Sequence, residues 1–246
     1  MQIDFVAAEW AAVGVDARHF RASAGGRDIP GTLWSPALGG RQPLVLLQHG
    51  GSGHRRDAAT TAAALRLVQD HGFCCAAIDG PLHGDRRGDG AQGASVQAEF
   101  ARAWQGGNRF PSFVDDWLAV LDGLAGLPAV DATRIGWVGL SMGTAFGLSV
   151  LARLPAAASA VFGKWSVNFP GSSHIAADAA RIRCPVLFVQ HWNDEFFDRA
   201  GTLDLFDALG APDKRLHAYP GAHAGRSEEE LAAGIAHLSH TLRSQS

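Results

Sequence analysis

The chain has 246 residues and a mass of 25.9 kDa, enough to bury a sizeable core without disulfide or metal staples. Hydrophobic residues at 47% and charged residues at 18% exclude wholesale disorder. A net charge of −3, with no basic block, argues against a nucleic-acid binder that reads phosphates.

Residues 20–34 read as an antiparallel hairpin turning near Gly25-Gly26. The run 43–48 (PLVLLQ) reads as a strand and leads into His49-Gly50-Gly51-Ser52-Gly53. A helix is expected over 57–71, then a strand over 73–79 (FCCAAID). Residues 111–127 read as a helix, with Trp117, Leu118, Leu121 and Leu124 at helical spacing. A strand over 134–140 (RIGWVGL) meets a helix over 141–154 that Pro155 closes. Strands at 159–163, 186–191 and 215–219 alternate with helices at 200–209 and 227–242. This rhythm predicts an α/β fold, a mostly parallel central sheet with helices on both faces. Two segments, 84–109 and 164–176, interrupt it; the first is glycine-rich and charged, with a short helix expected near 97–104. The organisation expected is one domain over 1–246 with a small cap inserted at 84–109.

Three cysteines are too few for a disulfide framework, and Cys74, Cys75 and Cys184 read as buried reduced thiols. The start Met1-Gln2-Ile3-Asp4-Phe5 lacks the basic and apolar regions of a signal peptide. No apolar run is long enough to span a bilayer, so a cytoplasmic protein without a membrane partner is expected.

The sharpest motif is Gly139-Leu140-Ser141-Met142-Gly143, a G-x-S-x-G. With 15 serines and 30 glycines in 246 residues, chance alone gives about 0.2 matches per chain, so the bare pattern is weak. Its context is not: it lies where an apolar strand meets a helix, the strand–turn–helix that a nucleophile elbow requires. With this elbow, the hairpin and the order of the strands, the chain resembles a serine hydrolase of the α/β-hydrolase superfamily over nearly its whole length. Within it, the compact dienelactone-hydrolase-like and prolyl-oligopeptidase-like esterases are most similar. In the family's count, an HGG turn follows strand three, the nucleophile strand five, the acid strand seven and the histidine strand eight. One departure stands out: dienelactone hydrolases carry a cysteine nucleophile, whereas this elbow carries Ser141.

A serine hydroxyl needs a neighbouring base, itself held by a third group. By order and loop position, the resemblance implies His223 as base among 11 histidines, and Asp194, three residues beyond His191, as acid. Glu195 and Asp198 are the alternatives, read as a solvated loop charge and a helix N-cap. The oxyanion hole is expected from the backbone amides of Gly51 and Met142. Asp79-Gly80-Pro81-Leu82-His83-Gly84 resembles the D-x-P-x-H-G turn of many esterases and is expected to shape the pocket wall. Substrate contacts are expected from His54, His83, Trp104, Trp165, Trp192 and Phe196, with Arg55, Arg56, Arg86 and Arg87 available to a carboxylate.

Other chemistries lack their spacing. There is no H-E-x-x-H, C-x-x-C, S-x-x-K or phosphate-loop pattern, and His237 and His240 read as a solvated pair on a surface helix. No metal or cofactor is expected. The expected function is hydrolysis of a small acyl or aryl ester, or a lactone, through an acyl-enzyme. A short-peptide peptidase and a non-catalytic ligand-binding protein on the same fold are the alternatives. The expected partner is the small-molecule ester, and a homo-oligomer is left open.

Overall fold

A computed structural model of the protein describes residues 2–155 and 157–243. Its strands are β1 (Ile3–Ala12), β2 (Val15–Ala24), β3 (Arg27–Pro36), β4 (Gln42–Gln48), β5 (Cys74–Ile78), β6 (Val130–Gly139), β7 (Ala157–Gly163), β8 (Val186–His191) and β9 (Lys214–Tyr219). Its helices are α1 (Ala58–His71), α2 (Ala94–Gln105), α3 (Pro111–Ala125), α4 (Met142–Leu151), α5 (Ile175–Ala179), α6 (Arg199–Ala208) and α7 (Glu228–Arg243). One sheet runs β1-β2-β3-β5-β4-β6-β7-β8-β9. β1, β2 and β3 form an antiparallel meander that joins β5 antiparallel, and every pair from β5 to β9 is parallel.

The two-residue period of a strand divides the core in two. Leu44, Leu46, Cys74 and Ala76 face the layer that contains Trp117, Val120, Phe146 and Leu205 of α3, α4 and α6. Val45, Leu47, Cys75 and Ala77 face the opposite layer, with Leu67 and Val68 of α1 and Leu238 and Leu242 of α7. All five residues of β5 and all six of β8 are buried, which is why β5 and residues 186–189 of β8 read as apolar runs. α1 begins at Asp57, whose carboxylate accepts the Thr60 amide at 2.7 Å, and it ends at Gly72 with φ 71°.

The mostly parallel α/β architecture matches the expectation, and the hairpin turn falls at Gly25 and Gly26, both at positive φ. β1 and α5 were not foreseen. β1 is an edge strand with its residues largely exposed, so its sequence carries little apolar alternation. α5 spans only five residues, too few for a helical period to register. Because β1 precedes the expected hairpin, chain order here runs one strand ahead of the family's count. Cys74, Cys75 and Cys184 are free and buried. Among the described residues, no helix is long and apolar enough to cross a membrane.

Candidate active site

Ser141 occupies the turn between β6 and α4 with φ 59° and ψ −122°. A non-glycine residue held there costs roughly 1–3 kcal/mol, so its surroundings must over-determine it. Its amide donates to the Gly163 carbonyl at 2.9 Å, and its carbonyl accepts the Thr144 amide at 2.8 Å. The Thr144 hydroxyl lies 2.6 Å from the Gly163 carbonyl and accepts the Gly163 amide at 2.8 Å. A β-carbon on Gly139 would stand 2.6 Å from the Gly143 carbonyl oxygen, and one on Gly143 would stand 2.5 Å from that of Gln48. Both flanking glycines are therefore required by close approach of backbone.

His223, in the loop after β9, brings Nε2 to 3.0 Å from Ser141 Oγ. Its Nδ1 lies 2.8 Å from Asp194 Oδ2, in the loop after β8. The three residues predicted to act together thus form one continuous hydrogen-bonded chain. Burial works to raise the Asp194 carboxyl pKa. The His223 hydrogen bond and charge, with the Phe196 and Phe197 amides, outweigh burial and hold it below the ordinary value. Asp198 caps α6 as expected, accepting the Gly201 amide at 2.7 Å. Glu195 is not a merely solvated charge, because its Oε2 accepts the His223 amide at 2.8 Å.

Gly51 and Met142 border the same cavity as Ser141. Among the described residues, neither amide donates to a backbone carbonyl. His49 explains the first. Its Nδ1 lies 2.8 Å from the Gly50 carbonyl, and its Nε2 accepts the Gly80 amide at 2.8 Å, so Nδ1 carries the proton. Burial first, and then the charge of His83, push the His49 pKa well below the ordinary histidine value and keep the ring neutral. His83 places Nε2 at 2.8 Å from the Gly51 carbonyl. Asp79, fully buried, accepts the amides of Arg55 at 2.9 Å and Asp85 at 2.8 Å, and pairs with the Arg55 guanidinium. The 79–84 turn therefore braces the Gly51 loop from behind rather than forming a pocket wall.

A cavity of about 440 Å³ opens beside Ser141. Trp165 and Phe196 line it as expected; His54, His83, Trp104 and Trp192 do not. His83 is fully buried against the Gly51 loop. Trp104, only 1% exposed, packs inward with Val96 on α2 and lies 3.1 Å from the Ser172 hydroxyl through Nε1, while the buried Phe100 between them also lines the cavity. Trp192 is 43% exposed, with the Arg199 guanidinium over its ring at 4.2 Å. His54 is half-buried and accepts the Arg56 amide at Nδ1.

The sequence profile of the dienelactone hydrolase family matches residues 86–233. The chain belongs to the dienelactone hydrolase family. The fold is that of the α/β-hydrolase superfamily. A cold-adapted esterase from an Arctic intertidal metagenomic library is 33% identical, with 95% of this chain and 97% of that chain covered and a TM-score of 0.85. Two further structures share the fold at low identity. Acetyl xylan esterase 1 from Thermoanaerobacterium sp. JW/SL YS485 is 16% identical, with 97% and 87% coverage and a TM-score of 0.77. Dienelactone hydrolase from Anabaena variabilis ATCC 29413 is 18% identical, with 94% and 98% coverage and a TM-score of 0.68. Among curated proteins, none matches the chain in sequence.

In this dienelactone hydrolase family member, three of the four arginines expected near the site are engaged by the protein's own carboxylates, whereas Arg102 of α2 lines the cavity itself. Arg55 pairs with Asp79 and Asp85, Arg86 with Asp116, and Arg87 with Asp89 and Glu99. Arg56 is exposed and lies outside the cavity lining. None of the four is placed to meet a substrate carboxylate in the cavity. His237 is likewise buried, not solvated, with Nε2 at 3.4 Å from the Pro185 carbonyl. The cavity wall that sequence reasoning missed is the other face of α2. Ala94, Ala98, Ala101 and Gln105 follow helical spacing along it, a small-residue stripe that could have been read from the chain. Phe169 and Phe197 complete the opposite wall.

Proposed function

We propose that the protein is a serine carboxylesterase acting on esters with a compact apolar acyl or aryl group. The observation that carries this reading is the chain Ser141–His223–Asp194, at 3.0 and 2.8 Å, beside a largely apolar cavity. Ser141 Oγ attacks the ester carbonyl while His223 Nε2 takes the hydroxyl proton. Asp194 holds the ring by Nδ1 and stabilises the imidazolium as it forms. The Gly51 and Met142 amides donate to the oxyanion, with the N-terminus of α4 adding its positive dipole end. His223 returns the proton to the alcohol, which leaves an acyl-enzyme. Water, activated by His223, then releases the acid and regenerates Ser141.

Membership of a hydrolase family and likeness to structures described as a cold-adapted esterase and an acetyl xylan esterase support ester chemistry in general. The 84–109 segment, whose α2 forms one cavity wall, acts as the cap of a single domain. A cytoplasmic location is in keeping with three buried free thiols. The test is turnover of a p-nitrophenyl ester series by the purified protein, together with fluorophosphonate labelling. Ser141→Ala is expected to remove both activity and label. Labelling at another serine, or an active Ser141→Ala, would overturn the assignment.

A further inference from the structure

Behind the loop that carries His223 lies a buried ionic cluster that the proton-transfer chain does not use. Lys164, Glu230 and His191 are 3%, 6% and 3% exposed. Lys164 Nζ lies 2.7 Å from the Gly225 carbonyl, 3.5 Å from the His223 carbonyl and 3.3 Å from Glu230 Oε1. Glu230 Oε2 lies 2.8 Å from His191 Nε2, and His191 Nδ1 lies 2.8 Å from the Ala222 carbonyl. Three carbonyls of one four-residue loop are thus held by two side chains, with Glu230 joining the two.

The cluster also reaches the other members of the site. Lys164 follows Gly163, whose carbonyl accepts the Ser141 amide at 2.9 Å. His191 ends β8, and its carbonyl accepts the Asp194 amide at 3.4 Å. Lys164 adopts φ 53°, where backbone preference alone favours glycine, so its side-chain contacts must offset local strain. Burying an ammonium, a carboxylate and an imidazole together is costly, and apolar residues of similar volume would pack such a site at least as stably. What apolar residues would not do is hold specific loop carbonyls in place.

We propose that Lys164, Glu230 and His191 are positioning residues, which fix the 222–225 loop so that His223 Nε2 stays within reach of Ser141. The inference rests on the reading of Ser141 and His223 as nucleophile and base. A base that moves a proton twice per turnover is sensitive to small displacements, and a shift of about 1 Å can cost 100-fold in rate.

The test compares p-nitrophenyl ester kinetics of the parent with Lys164→Met, Lys164→Arg, Glu230→Gln and the Lys164→Met/Glu230→Gln pair. In the singles, kcat is expected to fall roughly 10- to 100-fold with KM within about twofold, because alignment and not substrate binding is lost. Lys164→Arg should recover part of the loss. The pair should fall no further than the worse single, as expected of coupled groups. The downfield proton resonance of His223 Nδ1–H should be present in the parent and broadened by exchange in Lys164→Met. Folded singles with parental kcat, or with raised KM and intact kcat, would overturn the proposal. So would Lys164→Arg at parental kcat and resonance alongside unfolded Lys164→Met and Glu230→Gln, which marks the cluster as purely structural. A dead Ser141→Ala with a fully active Lys164→Met sinks this inference alone, whereas an active Ser141→Ala sinks the triad reading beneath it.

Discussion

The Nδ1 of His49 lies 2.8 Å from the carbonyl oxygen of Gly50, and the peptide unit it holds is the one whose N–H belongs to Gly51. The carbonyl and N–H of a trans peptide point in opposite directions. Anchoring the first on His49 therefore aims the second away from it, towards the cavity that Gly51 shares with Ser141. The Gly53 amide, at 3.1 Å from the same carbonyl, reinforces the orientation.

His49→Ala is accordingly expected to behave like loss of an oxyanion donor. The kcat for a p-nitrophenyl ester should fall by about 10²-fold or more, with a much smaller change in KM. Circular dichroism would report whether the fold survives. Parental kcat in a folded variant would mean that His49 is not needed to aim the Gly51 amide at the oxyanion.

His223→Ala should cost as much activity as Ser141→Ala, because the groups act as a unit. Asp194→Asn should lose on the order of 10³- to 10⁴-fold, leaving whatever the amides contribute. Near-parental rates for Asp194→Asn would remove Asp194 from the chain of proton transfer.

Asp194 also makes a prediction about stability against pH. Its folded-state pKa is held below the ordinary value, and unfolded aspartate titrates near about 3.9. The stabilisation it contributes is fully present above that pH and is lost as pH falls through the lower folded-state value. Asp194→Asn should therefore be less sensitive to acid than the parent below about pH 4, while losing stability at neutral pH. Urea unfolding across that range measures both effects. An identical acid limb in the two proteins would contradict the depressed value.

The two faces of α2 should respond in opposite ways. Ala101→Leu narrows the cavity, and discrimination against octanoyl relative to acetyl esters should rise by around tenfold, the scale of 1–3 kcal/mol of pocket contact. Trp104→Ala instead empties the core. It should cost about 3–5 kcal/mol and lower Tm by roughly 6–20 °C. A Trp104→Ala protein with parental Tm but a changed chain-length profile would reverse the assignment of the two faces.

Burial pushes the Cys74 thiol up to about 11, the Cys184 thiol up to about 12, and Cys75 well above its ordinary value. The native protein should therefore be silent towards a disulfide-exchange reagent at neutral pH, and three thiols should titrate in guanidinium chloride. Rapid native reaction of any one would show that its strand opens easily.

The order of strands and helices, the hairpin turn at Gly25-Gly26 and the glycine-flanked Ser141 were legible in the sequence because each depends on a few adjacent residues. A strand or helix shows its period within one segment, and a strained turn needs its glycines beside it. Edge strand β1 escaped because half-exposed residues carry little of that period. The approach of Ser141 to His223 spans 82 positions, and only the packing of β6 and β9 into one sheet decides it. Resemblance pointed to His223 and Asp194, but their separations of 3.0 and 2.8 Å belong to the tertiary structure. So do the engagement of Arg55 by Asp79, the inward turn of Trp104 and the tie from Lys164 to the base loop. A side chain's type is local, but whether it meets substrate, core or counter-charge depends on which distant segment folds against it.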